Sequence, residues 1–209
     1  MEVFSGTDIG PSRDNQEDDI LVKDRLFVVS DGIGGHAAGE LASKAVIDSF
    51  SKLDGANFDG TIDNSLNEMH YAIISANGEC LGAKDGRGAT CTAIYLPKRA
   101  EGLCLYVHVG DSRLYHISNK HIEQITTDHG EGHILYNCLG KEKIYIDRGT
   151  FEISKGDTLV LCSDGVSDVL DQLDIAKIAC ESKQPAKGLI RRAIAEETRD
   201  NCTAIVIRL

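Results

Sequence analysis

Eight short stretches of this chain either alternate apolar with polar residues or run apolar without a break, and each reads as a β-strand. They are LFVVS (26–30), ATCTAIYL (89–96), LCLYVHV (103–109), RLYHIS (113–118), HIEQIT (121–126), GTFEIS (149–154), DTLVLCS (157–163) and CTAIVIRL (202–209). Ser118-Asn119-Lys120 and Lys155-Gly156 are tight connections. Such turns suit antiparallel neighbours, since parallel strands need a long crossover. Elsewhere the apolar period lengthens to that of a helix. Leu41, Ala45, Val46, Phe50 and Leu53 form one apolar face, and Leu66, Met69, Ile73, Ala76 and Cys80 form another. Pro185 fits the first turn of a third helix, whose inward side is Ala186, Leu189, Ile190, Ala193 and Ile194. Strands and amphipathic helices segregated in this way predict an α+β fold with helices covering antiparallel sheets.

The 209 residues suffice for one domain, read as 1–209, with no internal repeat, low-complexity tract or linker. No apolar run approaches the ~20 residues needed to span a bilayer. The opening MEVFSGTDIGPSRDNQEDD has neither a basic nor an apolar signal region, so a cytoplasmic location is expected. The seven cysteines are odd in number and form no Cys-x-x-Cys pair, which predicts reduced thiols packed as small hydrophobes. A formal charge of −11 excludes a nucleic-acid binder, which needs a basic face. An anionic substrate would therefore need metal ions or a local arginine to reverse the field.

Four strand termini carry an aspartate beside a small or polar residue: VVSDG (28–32), VHVGDS (107–112), VLCSDGVSD (160–168) and TRDN (198–201). The N-terminal RDNQEDD (13–19) adds further carboxylates. Each alone is ordinary turn chemistry. If the sheets gather them on one edge, two carboxylates ~4 Å apart repel by about 4 kcal/mol at an effective dielectric of 20, so cations must belong there. All-oxygen ligands suit Mg²⁺ or Mn²⁺, and two such ions can share an activated hydroxide that attacks phosphorus. Two dications against three aspartates leave one net positive charge, so an anionic ester becomes welcome.

In order along the chain, GPSRDNQEDD, VVSDGIGGHAAGE, GRGATCTA, VHVGDSRLY, ITTDH, LVLCSDGVSDVL and RDNCTAIVI resemble the signature segments of type 2C metal-dependent serine/threonine protein phosphatases, especially the compact bacterial members. The resemblance runs from about residue 6 to the C-terminus. It implies a four-layer α-β-β-α sandwich and a centre of two Mn²⁺ or Mg²⁺ ions, with a third, weaker one possible. Asp31 matches the carboxylate that bridges both ions, and Gly32 supplies a carbonyl ligand. Asp164 and Asp200 match ligands of the second ion. Asp111, Asp164 and Asp168 match ligands of the third, although Asp168 could instead cap the helix VLDQLDIAKIA. Glu17 and Asp18 match the residues that hold metal-bound water. Arg13 matches the arginine that grips the substrate phosphate, against the alternative of a surface ion pair with Glu17 or Asp18. His108, within LYVHV, reads as a core or sheet-face histidine.

The implied activity is hydrolysis of phosphoserine and phosphothreonine in proteins by hydroxide activated at the two metals. The implied partners are phosphorylated proteins, with a serine/threonine kinase or its targets among them; no nucleic acid or membrane is expected, and the chain is expected to be monomeric. A catalytically silent phosphoprotein-binding domain and a two-metal phosphodiesterase are the competing readings. Two departures from the family stand out. Ile33 occupies the place where some members have a histidine proposed as general acid, so the leaving group's proton must come from metal-bound water or another group, with His36 nearby in sequence. Between ITTDH and NCLG the family's flap of a few tens of residues shrinks to GEGHILY (130–136), which leaves the site exposed.

Overall fold

In a computed structural model, the structure describes residues 1–34, 37–54, 58, 60–132 and 134–209. His36 therefore lies outside the described residues, as does Gly35 of the GIGG run. The strands are β1 (Glu2–Asp8), β2 (Asp19–Lys23), β3 (Leu26–Ser30), β4 (Gly32–Ile33), β5 (Gly88–Ala89), β6 (Cys91–Tyr95), β7 (Leu103–Val109) and β8 (Arg113–Ser118). They continue as β9 (His121–Gln124), β10 (Gly130–Glu131), β11 (Ile134–Leu135), β12 (Asp147–Glu152), β13 (Thr158–Cys162) and β14 (Cys202–Arg208). The helices are α1 (Ala37–Ser51), α2 (Ile62–Ala83), α3 (Asp164–Ser167), α4 (Gln172–Glu181) and α5 (Pro185–Ala195).

Two five-stranded antiparallel sheets, ordered β1-β14-β13-β8-β9 and β12-β7-β6-β3-β2, form the centre. The period of two sorts their side chains. Phe27 and Val29 on β3, Leu159 and Leu161 on β13, and Ile205 and Ile207 on β14 fill the space between the sheets. The alternate residues face outward to helices. Leu26 and Val28 meet α1 and α2, while Val160, Cys162, Ala204 and Val206 meet α4 and α5. The result is the four-layer α-β-β-α sandwich that the motifs imply.

Seven of the eight expected strands form as single strands, with ends shifted by up to a few residues. ATCTAIYL divides at Thr90, because the Thr90 amide donates to the Asp31 carbonyl (2.8 Å) and so turns the backbone toward β4. The short edge strands β1 and β2 were not expected, since EVFSGTD and DILVK bury little of themselves and carry weak alternation. On α1, Leu41 is exposed where an inward residue was expected, and Ala42 and Ile47 are buried instead. All seven cysteines are free thiols, and every one but Cys180 is buried.

Register decides where the chemistry sits. β3 and β7 both pair antiparallel with β6, so they end on the same edge, at Asp31 and Asp111. In the other sheet Cys162 lies opposite Ala204, so β13 ends where β14 begins, and Asp8 opposite Cys202 brings the end of β1 there too. Asp19 opposite Ser30 adds the start of β2. Leu161→Ala, at a fully buried inter-sheet position, should cost about 2–5 kcal/mol in chemical denaturation. Leu173→Ala, at a position 74% exposed, should cost less than about 0.5 kcal/mol. Equal costs would contradict the layer assignment.

Candidate metal and phosphate site

Asp31 is fixed through its backbone. Its amide donates to Thr90 Oγ1 (2.9 Å) and its carbonyl accepts from the Thr90 amide. Thr90 Oγ1 lies 2.7 Å from Ser112 Oγ, and Thr92 Oγ1 donates to the Ser112 carbonyl (2.6 Å). These buried hydroxyls tie the Asp31 turn to the Asp111 turn. His108 is fully buried beside them, with Nδ1 2.9 Å from Thr92 Oγ1. Burial pushes its pKa down to about 4, so it stays a neutral core histidine as expected.

Gly32 follows in a space that admits no side chain, since a Cβ would come within 2.1 Å of the Gly39 carbonyl oxygen on α1. Its amide donates to the Glu17 carbonyl (3.1 Å), which brings the N-terminal segment against the Asp31 turn. Glu17 and Asp18 are both buried. Ser163 Oγ donates to Asp18 Oδ2 (2.7 Å), while Asp18 Oδ1 is buried with no hydrogen-bond partner. Asp164, the first residue of α3, likewise has a buried Oδ1 with no partner. Asp200 accepts from the Asn201 amide at Oδ1 (2.8 Å) and from Arg13 Nη2 at Oδ2 (2.5 Å).

The carboxylates are near enough to govern one another's protons. Burial, then the charges of Asp18, Asp164 and Asp200, hold the Asp31 carboxyl well above the ordinary range. Burial lifts Asp18 to about 7 against hydrogen bonds from Thr203 and Ser163, with Asp164 and Asp200 adding repulsion. Burial and Asp200 raise Asp164 to about 6. Asp111 rises to about 7 through burial and the charge of Asp164. Asp31, Asp18, Asp164 and Asp200 are thus drawn together, and Asp111 stands on the Asp164 side. Asp168 is exposed at the end of α3 and adds its charge to Asp164 and Asp111.

Two of the competing local contacts differ from those expected. Asp171, not Asp168, caps the following helix, accepting from the Asp174 amide (2.8 Å). Arg13 pairs with Asp200 rather than with Glu17 or Asp18, and its Nε donates to the Arg199 carbonyl (3.2 Å). Sequence reasoning missed Thr90, which only long-range pairing brings to Asp31, and Asn201 and Ser163, polar residues one step from Asp200 and Asp164. Their signal was the polar neighbour of each aspartate, which turn chemistry alone had explained.

Among the described residues, no three His, Cys, Asp or Glu side chains already stand in ion-enclosing geometry. The donor set nevertheless fits a hard divalent ion. It is all oxygen, it holds two buried carboxylate oxygens without partners, and its repulsion is relieved only by positive charge. Asp31, the Gly32 carbonyl, Asp164 and Asp200 are the groups that could hold such ions.

Fold and acidic edge together define a class, the metal-dependent phosphatases of type 2C. A family model described as Stage II sporulation protein E (SpoIIE) matches residues 22–209, and the chain belongs to that family. It is 31% identical over 230 residues to the serine/threonine protein phosphatase PstP of Mycobacterium tuberculosis, covering 96% of this chain and 43% of that protein. The chain therefore spans less than half the length of that relative. With protein phosphatase PhpP of Streptococcus pneumoniae it shares 27% identity over 244 residues, covering 100% of this chain and 98% of the other. The solved catalytic domain of PstP, in complex with two manganese ions, superposes with a TM-score of 0.88 at 30% identity, over 98% of this chain and 96% of that one.

The raised carboxyls carry a stability consequence. A carboxyl whose folded pKa exceeds its unfolded value near 3.8 binds protons more tightly when folded, so its contribution is present at low pH and lost as pH rises through the folded value. Metal-free protein should lose thermal stability between about pH 5 and pH 7.5 through these groups, and Asp18→Asn should flatten that slope. Parallel slopes for the two proteins in a thermal melt series would contradict the assignment.

Proposed function

We propose that this chain is a metal-dependent protein phosphatase that hydrolyses phosphoserine and phosphothreonine, with residues 1–209 acting as one catalytic domain. The carrying observation is the convergence of Asp31, Asp164 and Asp200 with Asp18 and Arg13 at one sheet edge, where the ionised carboxylates repel and divalent cations would relieve that repulsion. The two manganese ions of the solved relative and the phosphatase names of PstP and PhpP support the same reading. Paired Mn²⁺ or Mg²⁺ ions, when bound, supply Lewis-acid charge and a hydroxide at neutral pH.

The chain's own residues do the rest. Asp31, which feels the charges of Asp18, Asp164 and Asp200, would be the carboxylate shared by two ions, and the Gly32 carbonyl, Asp164 and Asp200 would be further ligands. Glu17 and Asp18 orient water through hydrogen bonds. Asp111, Asp164 and Asp168 form the weaker third position. Arg13, held at this edge by its pair with Asp200, would present parallel N–H donors to two phosphoryl oxygens and so orient the phosphoryl group. Ile33 follows the Asp31-Gly32 pair, so the leaving alkoxide takes its proton from water at the site or from another group, with His36 near in sequence. Thiol chemistry is disfavoured, because burial pushes the nearby Cys202 up to about 12 and keeps it protonated.

The short flap shapes access. Gly130 and Glu131 pair with Leu135 and Ile134 as β10 and β11, and Ile134, Tyr136 and Tyr145 are exposed. Substrates are then phosphorylated proteins whose phosphoresidue lies on an accessible segment, including a kinase or its targets. A monomer in the cytoplasm suits the unpaired thiols; among the described residues no helix is long and apolar enough to cross a membrane.

Asp31→Asn should lower kcat on a phosphothreonine peptide by about a hundredfold or more at saturating Mn²⁺ with the far-UV spectrum unchanged, and a chelator should abolish wild-type turnover. Full turnover by Asp31→Asn would remove the bridging role. Wild-type protein that binds the peptide without hydrolysing it in Mn²⁺ would identify a silent binding domain instead.

A further inference from the structure

The segment between β1 and β2 crosses the site edge without helix or strand, and residues 11–15 are exposed. It carries Arg13, Glu17 and Asp18, so something must fix its register. Apolar burial cannot, because the segment has little to bury. The fixed point is the side chain of Asn201, 2% exposed, directly after Asp200. Its Nδ2 donates to the carbonyls of Ile9 (2.8 Å) and Asn15 (3.0 Å), and its Oδ1 accepts from the Glu17 amide (2.7 Å). One amide group therefore spans the loop from before Arg13 to after it.

The backbone on either side is seated as closely. A Cβ on Gly10, at φ +75°, would lie 2.2 Å from the Asp200 carbonyl oxygen, and one on Gly165 would lie 1.9 Å from the Asn201 carbonyl oxygen. Residues 200–201 are thus wedged between the loop and the start of α3, next to Asp164. The Gly32 amide and Ser163 Oγ hold only the far end of the segment, at Glu17 and Asp18; around Arg13 the other ties, such as Gln16 Nε2 to Thr7 Oγ1, are exposed to exchange with water, whereas loss of the Asn201 amide strands buried polar groups.

We propose that Asn201 is the positioning residue for the phosphate-gripping arginine: it sets the register of residues 9–17 and so delivers Arg13 to the carboxylate edge, with Glu17 and Asp18 beside it. This rests on the reading of Arg13 as the phosphate-binding group. Asn201 touches no reacting atom and acts through the loop. A role confined to stability would lower the folded fraction, which scales kcat and leaves KM and the inhibition constant for inorganic phosphate unchanged.

The test is a double-mutant cycle of Asn201→Ala with Arg13→Ala, together with amide hydrogen exchange. In Asn201→Ala, KM for a phosphopeptide and the phosphate inhibition constant should both rise about tenfold; in the Arg13→Ala background the same change should add less than about twofold. Exchange across residues 10–17 should accelerate while β13 and β14 stay protected. Additive effects, or a fall in kcat alone, would overturn the proposal. If Arg13→Ala by itself leaves KM and phosphate inhibition unchanged, the phosphate-binding reading falls, and exchange then judges Asn201 alone: acceleration upholds the clamp and unchanged exchange overturns it. Should Asn201→Ala fail to fold, the isosteric Asn201→Asp, which keeps the acceptor for the Glu17 amide and loses both donors, enters the same cycle.

Discussion

Asp18, Asp31, Asp164 and Asp200 repel one another, and the scaffold holds them together against that repulsion. Their charges raise the Asp31 carboxyl together with its burial, and Asp18 and Asp164 respond in the same direction. Such crowding destabilises the metal-free protein at neutral pH, so the scaffold must supply the opposing free energy. It does so through three fully buried layers and through short polar ties behind the acidic groups: Thr90 and Ser112 behind Asp31 and Asp111, Ser163 behind Asp18, and Asn201 behind the N-terminal loop. The same repulsion that burdens the fold makes the edge receptive to divalent cations.

The arrangement explains how an acidic protein can receive an anionic ester. Arg13 is the one guanidinium in contact with this cluster among the described residues, and it is paired with Asp200. Any cation held at Asp200 would draw on the same carboxylate that Arg13 engages. The nearby Arg113 is held elsewhere, by Asp128 and the Ser167 carbonyl, and so braces α3 without entering the cluster.

Much of this could be read from the chain because its signals are local. LCLYVHV and RLYHIS form β7 and β8 at the expected residues, since period-two patterning under two covering layers leaves little choice of register. The aspartates at strand ends were legible as a group because each follows an apolar run that must stop at a sheet edge. What stayed hidden depends on long-range contact. The edge strand β1 is held by β14 rather than by its own pattern, and Leu41 lies outside while Ala42 takes a buried position. The Arg13–Asp200 pair and the Asn201 clamp join residues nearly two hundred positions apart, which no local spacing encodes.

The account turns on whether one carboxylate is shared between two ions at this edge. Electron paramagnetic resonance of the protein loaded with Mn²⁺ reads that directly. An exchange-coupled two-manganese signal, lost in favour of an isolated six-line spectrum in Asp31→Asn, is the predicted result. Isolated Mn²⁺ in the unsubstituted protein, or no bound Mn²⁺ at all, would contradict the account.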